Sequence, residues 1–167
     1  MATSRVTIKT KTIADELVRL IKASVYGTSC LVVQVAGIEQ VAGPRPLKEL
    51  LPAVFVVPTA SDPKDEPALD VHGTQQTIVE RFRIACFSSL AATDSPFTVG
   101  QAAAAAVVAS LSDEGLSSIA SAITPAQVLS SRWRGTEWQP EEAAFLIDNE
   151  QMAKVVVVRW EVEWYAR

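Results

Sequence analysis

The sequence has few of the residues from which reactive sites are usually built: one histidine, two cysteines and seven glycines in 167 residues. A Ser-His-Asp arrangement would have to use His72, which lies in a stretch rich in proline and aspartate. The sequence contains no glycine-rich phosphate loop, no H-E-x-x-H motif and no Cys/His cluster with metal-ligand spacing. We therefore expect no catalytic site, no cofactor and no bound metal.

Long apolar runs and paired cysteines are also absent. Cys30 and Cys86 each lie inside a short apolar run, and they form no C-x-x-C motif. This pattern predicts buried thiols in a reducing cytoplasm. No apolar stretch is long enough to span a bilayer, and the polar N-terminus does not have the pattern of a signal peptide. We expect a protein that is made in the cytoplasm and has no membrane partner.

Positive charge is scarce. Acidic residues outnumber basic ones by 19 to 15, which gives a formal net charge of −4 and a pI of about 5.0. A protein that grips duplex DNA normally has a basic face, so this balance argues against general DNA binding. Hydrophobic residues make up 49% and charged residues 20% of the chain, as in a globular protein. The length suits a single domain over residues 1–167.

The hydrophobic periodicity predicts an α+β fold, with one mixed, mostly antiparallel sheet of about four to six strands flanked by about two or three helices. One helix is predicted to begin at Thr12 and a second at Thr98, each with a capping box, and Gly115 is predicted to end the second. A short helical turn is expected over 47–51, and a further turn over 117–122. Strands are predicted over 31–35, 53–57, 74–88, 128–138, 145–147 and 152–165, the last two forming a hairpin.

Residues 58–73 are acidic, interrupted by prolines and without periodicity. They predict a long mobile loop, and loops of this length in a compact domain are usually functional or mobile. We expect this loop to contact a neighbouring protein. Its charged residues are therefore candidate interface residues: Asp62, Lys64, Asp65 and Glu66.

The strand predicted over 74–88 is unusually long. At ~3.3 Å per residue it would measure about 45 Å, so we expect part of it to pair with something outside the chain. Its alternation places Arg81 and Arg83 on the face opposite the core. Glu161 and Glu163 have the same spacing on the last strand. Pairing across an antiparallel sheet is favoured over an acid/base function for these two carboxylates. These four charged residues are also candidate interface residues, as are Arg132 and Trp133.

Basic and aromatic residues meet at Arg132-Trp133-Arg134. Such a cluster can bind single-stranded nucleic acid by stacking, but on an acidic chain a half-buried strand with solvated arginines is the better interpretation. The C-terminal third also contains four tryptophans, and we expect at least one to cover a subunit contact. These are Trp133, Trp138, Trp160 and Trp164.

Two segments resemble a known family. The phrase Leu-Pro-Ala-Val-Phe-Val-Val-Pro at 51–58, and Thr-Gln-Gln-Thr-Ile-Val-Glu-Arg-Phe at 74–82 after a polar loop, are similar to the tail terminator (tail completion) proteins of long-tailed bacteriophages. The region around Trp133 and the C-terminal strand fit the same plan, and the resemblance covers roughly residues 45–167.

The resemblance implies a structural protein of the virion, in the tail or neck, which is present in the host cytoplasm during assembly. It implies a homohexameric ring that caps the tail tube, ends its polymerisation and joins it to the head connector or neck protein. A contractile tail would add contacts to the sheath. DNA passes through the central hole without specific binding, and the family has no catalytic residues.

Three other functions stay open. The chain could be another neck or adaptor subunit, or a tail tube subunit. It could be a small enzyme or ligand-binding domain that uses His72 with Asp70 or Asp65. It could also be a nucleic-acid-binding module that uses Arg132, Trp133 and Arg134.

Overall fold

The computed structural model describes residues 9–34, 52–64, 77–89, 96–139 and 153–165. Three α-helices and five β-strands occur there, together with a single 3-10 turn at Gly27–Ser29. The helices are α1 (Thr10–Ala23), α2 (Pro96–Ser112) and α3 (Gly115–Ala122). The strands are β1 (Leu31–Gln34), β2 (Ala53–Pro63), β3 (Thr77–Ser89), β4 (Gln127–Gln139) and β5 (Ala153–Tyr165).

The strands form one five-stranded sheet in the order β1-β2-β3-β5-β4. β1 runs parallel to β2, and every other neighbouring pair is antiparallel. The predicted α+β fold with a mixed, mostly antiparallel sheet is therefore confirmed. β2 is an inner strand, as its run of apolar residues predicts. None of the helices in the described ranges is long and apolar enough to cross a membrane.

The helices cover one face of the sheet and form the main core with it. The predicted apolar stripe of α1 is buried there: Ile13, Leu17, Leu20 and Ile21. β5 contributes alternate residues to the same core, including Trp160 and Trp164. Burial of each large apolar side chain stabilises the fold by about 1.5–3 kcal/mol, so this face supplies most of the hydrophobic stabilisation.

The opposite face of the sheet divides into two parts. One part is a second buried apolar cluster that contains Phe55, Phe87 and Val157, in which the two phenylalanine rings meet edge to face at 5.2 Å. The other part carries charged side chains from β3, β4 and β5. Period-two alternation produces both, because residues adjacent along a strand point to opposite faces.

The helix starts differ from their predictions. α1 begins at Thr10, with Lys9 at the N-cap and no side-chain cap, so Thr12 lies inside the helix. α2 begins at Pro96, and a proline at the first helical position loses no hydrogen bond. Thr98 therefore lies within its first turn. Gly115 begins α3 and does not end α2. The turn predicted over 117–122 is confirmed as part of α3.

The predicted loop at 58–73 is wrong over its first part, because β2 continues to Pro63. A β-bulge at Thr59, between Pro58 and Ala60 in the pairing with β3, lets the strand pass its proline. The backbone N–H of Lys64 donates to the carbonyl of Thr77 at 2.8 Å and extends the pairing further. The remainder of that prediction lies outside the described residues, as do the short turn at 47–51 and the hairpin strand at 145–147.

The predicted overhang of the long strand is also wrong within the described ranges. Each residue of β3 from Thr77 to Ser89 has a partner in β5, and most also have one in β2. The strand can be long because its two neighbours, with 11 and 13 residues, are of similar length. Its length therefore gives no evidence of pairing outside the chain.

Candidate functional site

We call the face of the sheet opposite to the described helices the helix-free face. Its charged part centres on Glu161 of β5. Arg81 on β3 and Arg132 on β4 are its direct neighbours in the sheet register. The carboxylate lies 3.0 Å from Nη2 of Arg132, 3.5 Å from Nε of Arg81 and 3.7 Å from Nε of Arg134. Arg81 also pairs with Asp62, which β2 brings to this face. The predicted cross-sheet pairing of Arg81 with Glu161 is confirmed.

The other two charged residues predicted to pair across the sheet have different partners. Arg83 stands opposite Arg159, and the carboxylate of Glu137 on β4 lies 3.4 Å from both guanidinium groups. Glu163 pairs with Lys64 at 3.0 Å. The difference follows from the register, because antiparallel strands run in opposite directions. A match at Arg81 therefore places Arg83 opposite residue 159 and not 163.

A pocket of about 430 Å³ opens on this face. Four arginines and four other residues line it: Arg81, Arg83, Arg134, Arg159, Glu161, Thr59, Phe82 and Trp160. We call it the arginine pocket. Thr59 and Arg134 are both extra residues of β-bulges, on β2 and β4 respectively. Bulges re-aim side chains, and these two flank the pocket from strands on either side of the β3–β5 pair.

Gly135 follows the bulge on β4 and has a positive φ of 129°. A side chain there would be strained, and its Cβ would lie 2.9 Å from Nη2 of Arg159. The same nitrogen donates to the backbone carbonyl of Arg134 at 3.4 Å. The glycine therefore makes room for the guanidinium of Arg159 beside the pocket.

A separate polar cluster lies on the helix side of the sheet, around Glu80. This residue is fully buried, and it accepts three hydrogen bonds from neutral groups. Thr10 Oγ1 donates to Oε2 at 2.9 Å, while Ser61 Oγ and Trp164 Nε1 donate to Oε1 at 3.1 Å and 3.4 Å. The sequence shows Glu80 only as an interruption of an apolar face. A glutamate within an apolar face was the sequence signal for this polar cluster, because a buried carboxylate needs hydrogen-bond partners.

The four tryptophans divide into two pairs. Trp160 and Trp164 on β5 are buried in the main core. Trp133 and Trp138 on β4 are exposed over 51% and 40% of their surface. Trp133 lies on the helix side of the sheet, since it pairs with Trp160, whereas Arg132 lies on the charged side beside Glu161. The cluster read from the sequence as Arg132-Trp133-Arg134 is therefore split between two faces.

The remaining candidates add no reactive group in the described ranges. Burial raises the pKa of the Cys86 thiol to about 12 and also raises the pKa of Cys30. Both groups are therefore poor nucleophiles, since only the thiolate reacts. Cys86 is buried as predicted, and Cys30 is partly buried. No cluster that could hold a metal ion occurs among the described residues. Asp65, Glu66, Asp70 and His72 lie outside them.

No protein-family model matches the chain, and no curated protein matches it either.

Proposed function

We propose that the chain is a structural subunit of a bacteriophage tail: a tail terminator that forms a ring of six copies over the end of the tail tube. Such a ring ends tube polymerisation and joins the tube to the head connector or neck protein, with further contacts to the sheath in a contractile tail. DNA passes through its hole without specific binding. The resemblance at residues 51–58 and 74–82 suggests this function, and the surface of β4 supports it.

The observation that carries the proposal is β4, an edge strand of the sheet that the described residues form. It is 13 residues long and stands last in the strand order. It exposes three large apolar side chains, Leu129, Trp133 and Trp138, by 40–51%. A long edge strand with unpaired backbone groups is a template for pairing with another chain, and tryptophan is enriched among the residues that contribute most to interfaces. A neighbouring subunit on β4 would cover both features.

The edge also carries features that limit unspecific pairing. Two bulges interrupt it, at Leu129 and Arg134, and Arg132 adds charge on its far face. Natural proteins use bulges and charges in this way to prevent open-ended strand addition. A contact of this kind suits one matched neighbour, as between identical subunits of a closed ring.

The charged candidates contribute less to the argument for an interface. Asp62, Lys64, Arg81, Arg83, Arg132, Glu161 and Glu163 all take part in ion pairs or hydrogen bonds within the chain. Their charges are thus at least partly balanced without a partner. Among the described candidates, Trp133 is the one that we place in the subunit contact. Splitting of Arg132 and Trp133 between faces also weighs against a stacking surface for nucleic acid.

The test is the native mass of the purified protein, measured by light scattering at two concentrations and two salt levels and supported by negative-stain images. We expect rings, or monomers that close into rings as concentration rises. The double variant Trp133→Ser/Trp138→Ser should shift the population towards monomers, because it removes the apolar anchors of β4.

A matched control is Leu116→Ser, which removes a similarly exposed apolar side chain from α3. It should assemble like the wild type. A wild-type chain that stays monomeric under every condition would contradict the ring. A double variant that assembles normally would instead exclude β4 as the contact.

A further inference from the structure

The large apolar side chains that are exposed in the described ranges concentrate at the two edges of the sheet. Three of the six belong to β4, and two belong to β1 and to the connection that leads into it: Leu129, Trp133, Trp138, Leu31 and Val25. β1 and β4 stand at opposite ends of the strand order, so about four strand spacings, or ~19 Å, separate them. We call these two groups of side chains the β4 edge and the β1 edge.

The β1 edge is held in a fixed position although it is exposed. Val25 lies between the end of α1 and the 3-10 turn, and 91% of its surface is accessible. Thr28 Oγ1 donates a hydrogen bond to the carbonyl of Val25 at 2.7 Å. Gly27 lies so close to α1 that a Cβ at this position would overlap the carbonyl of Ile21. The turn is therefore packed against the helix end, and it places Val25 a short distance before Leu31, the first residue of β1.

The two edges carry apolar side chains at the same level of the sheet. The register crosses all five strands through one row of residues: Val32, Val54, Cys86, Val156 and Trp138. Leu31 directly precedes the first member of this row. Leu31 and Trp138 thus lie at the same end of the sheet, on its opposite edges.

This arrangement matches what the geometry of a ring requires. Identical subunits in a ring join head to tail, so each subunit presents two different surfaces. Successive subunits are related by a rotation without a shift along the ring axis. When the strands run along that axis, the two surfaces meet only if they lie at the same level. Leu31 and Trp138 fulfil this condition.

We propose that neighbouring subunits join with the β4 edge of one copy packed against the β1 edge of the next, so that Trp138 lies against Val25 and Leu31. The inference rests on the proposed ring, and it names the surface of the neighbour that covers the β4 edge. A second copy is the occupant because one chain carries both halves of the contact. A two-fold contact between two β4 edges would instead leave the β1 edge exposed and would stop at a dimer.

Two variants that each alter one edge, and their mixture, test the proposal by light scattering. They are Val25→Ser/Leu31→Ser and Trp133→Ser/Trp138→Ser. Each alone should raise the apparent dissociation constant at least about ten-fold relative to the wild type, since each removes two large apolar side chains from the contact. An equimolar mixture at the highest soluble concentration should form pairs of two chains, because the intact β4 edge of one variant meets the intact β1 edge of the other. These pairs should not close into rings, since their outer edges are the altered ones.

Thermal melting shows which variants fold, and Leu116→Ser is again the control that should assemble like the wild type. Val25→Asp, at a site almost entirely exposed, replaces the β1-edge variant if that variant does not fold. The proposal is overturned if a folded β1-edge variant assembles like the wild type, or if the mixture stays monomeric. Either result in a wild type that forms rings overturns this contact alone, whereas a wild type that stays monomeric contradicts the ring itself.

Discussion

Two carboxylates lie close together on neighbouring inner strands and are held in opposite ways. Glu80 on β3 faces the helices and is fully buried, and its hydrogen-bond partners are two hydroxyl groups and one indole. Glu161 on β5 faces the other side, where it is also buried and contacts three arginines. No ion pair of Glu80 occurs among the described residues.

The comparison shows two ways of accommodating a polar group in a sheet. The neutral donors around Glu80 come from α1, β2 and β5, so the hydrogen bonds connect a helix start to three strands. The stability of this cluster depends on hydrogen-bond geometry and on the acceptor oxygens of Glu80. The arginines around Glu161 are half exposed and keep part of their hydration, so this cluster depends on charge balance. Replacing each residue should therefore have different consequences.

The largest effect is expected for Glu80→Ala. It removes the acceptor of three hydrogen bonds, leaves the Trp164 N–H buried without its acceptor and opens a cavity, which together should lower the free energy of unfolding by about 2–4 kcal/mol. Urea unfolding followed by tryptophan fluorescence measures the change.

The control for this change is Glu80→Gln. Its carbonyl can still accept from Ser61 and Trp164, and its amide can donate to the hydroxyl of Thr10. We expect a loss of less than about 1 kcal/mol. A glutamine variant as unstable as the alanine variant would show that the charge of Glu80, and not its shape, holds this cluster together.

A smaller effect is expected for Glu161→Gln. Because it leaves the arginines without their shared counter-charge, the free energy of unfolding should fall by about 1 kcal/mol, discounted for the exposure of the arginines. Added salt screens repulsion between these cations, so the deficit should shrink as ionic strength rises. Glu163→Gln, which loses only the pair with Lys64, is the matched control. A deficit that does not change with salt would argue against a charge-balanced cluster.

The smallest effect is expected at a pair formed by an exposed arginine and a partly buried glutamate, away from both clusters. The hydrogen bond from Arg19, together with that from Ser118, lowers the pKa of Glu16 despite partial burial. A carboxyl whose pKa is lowered by folding stabilises the protein above its unfolded pKa, and this contribution is lost as pH falls through the folded value. The stability difference between the wild type and Glu16→Gln should thus be present at pH 7 and vanish in acid. A difference that persists in acid would show that ionisation of Glu16 contributes nothing.

The faces of the strands were predictable from the sequence, but the pairings between them were not. Alternation along 74–88 and 152–165 places Arg81 and Glu161 correctly on the helix-free face. It cannot supply the register, which brings Arg83 beside Arg159 and leaves Glu163 to Lys64. Register depends on which strands are neighbours, and that information is spread over the whole chain.

Prolines and caps gave misleading local signals. Pro58 and Pro63 suggested a loop, yet a bulge carries β2 past the first of them. Thr12 and Thr98 suggested helix starts, although both helices begin two residues earlier. On β2 the pairing with β3 outweighs the local preference of proline for a loop, whereas α2 begins at Pro96 because proline is favoured at the first helical position. The arginine pocket was likewise beyond prediction, because it needs four arginines from three strands and two bulges.

The bulges at Thr59 and Arg134 also determine on which face of the sheet the later residues of their strands lie. Each inserts one residue, so every position that follows it lies on the face opposite to the one that simple counting would give. If β4 kept the same sequence but had no bulge, Glu137 would turn towards the helices and Trp138 towards the arginines. Deleting the extra residue itself should therefore leave all later residues on their present faces, because it converts the bulge into regular alternation. A single-residue deletion elsewhere in the strand, with the bulge kept, would turn every later residue to the opposite face. Homologous sequences should thus lose one residue at a bulge more readily than elsewhere in the strand.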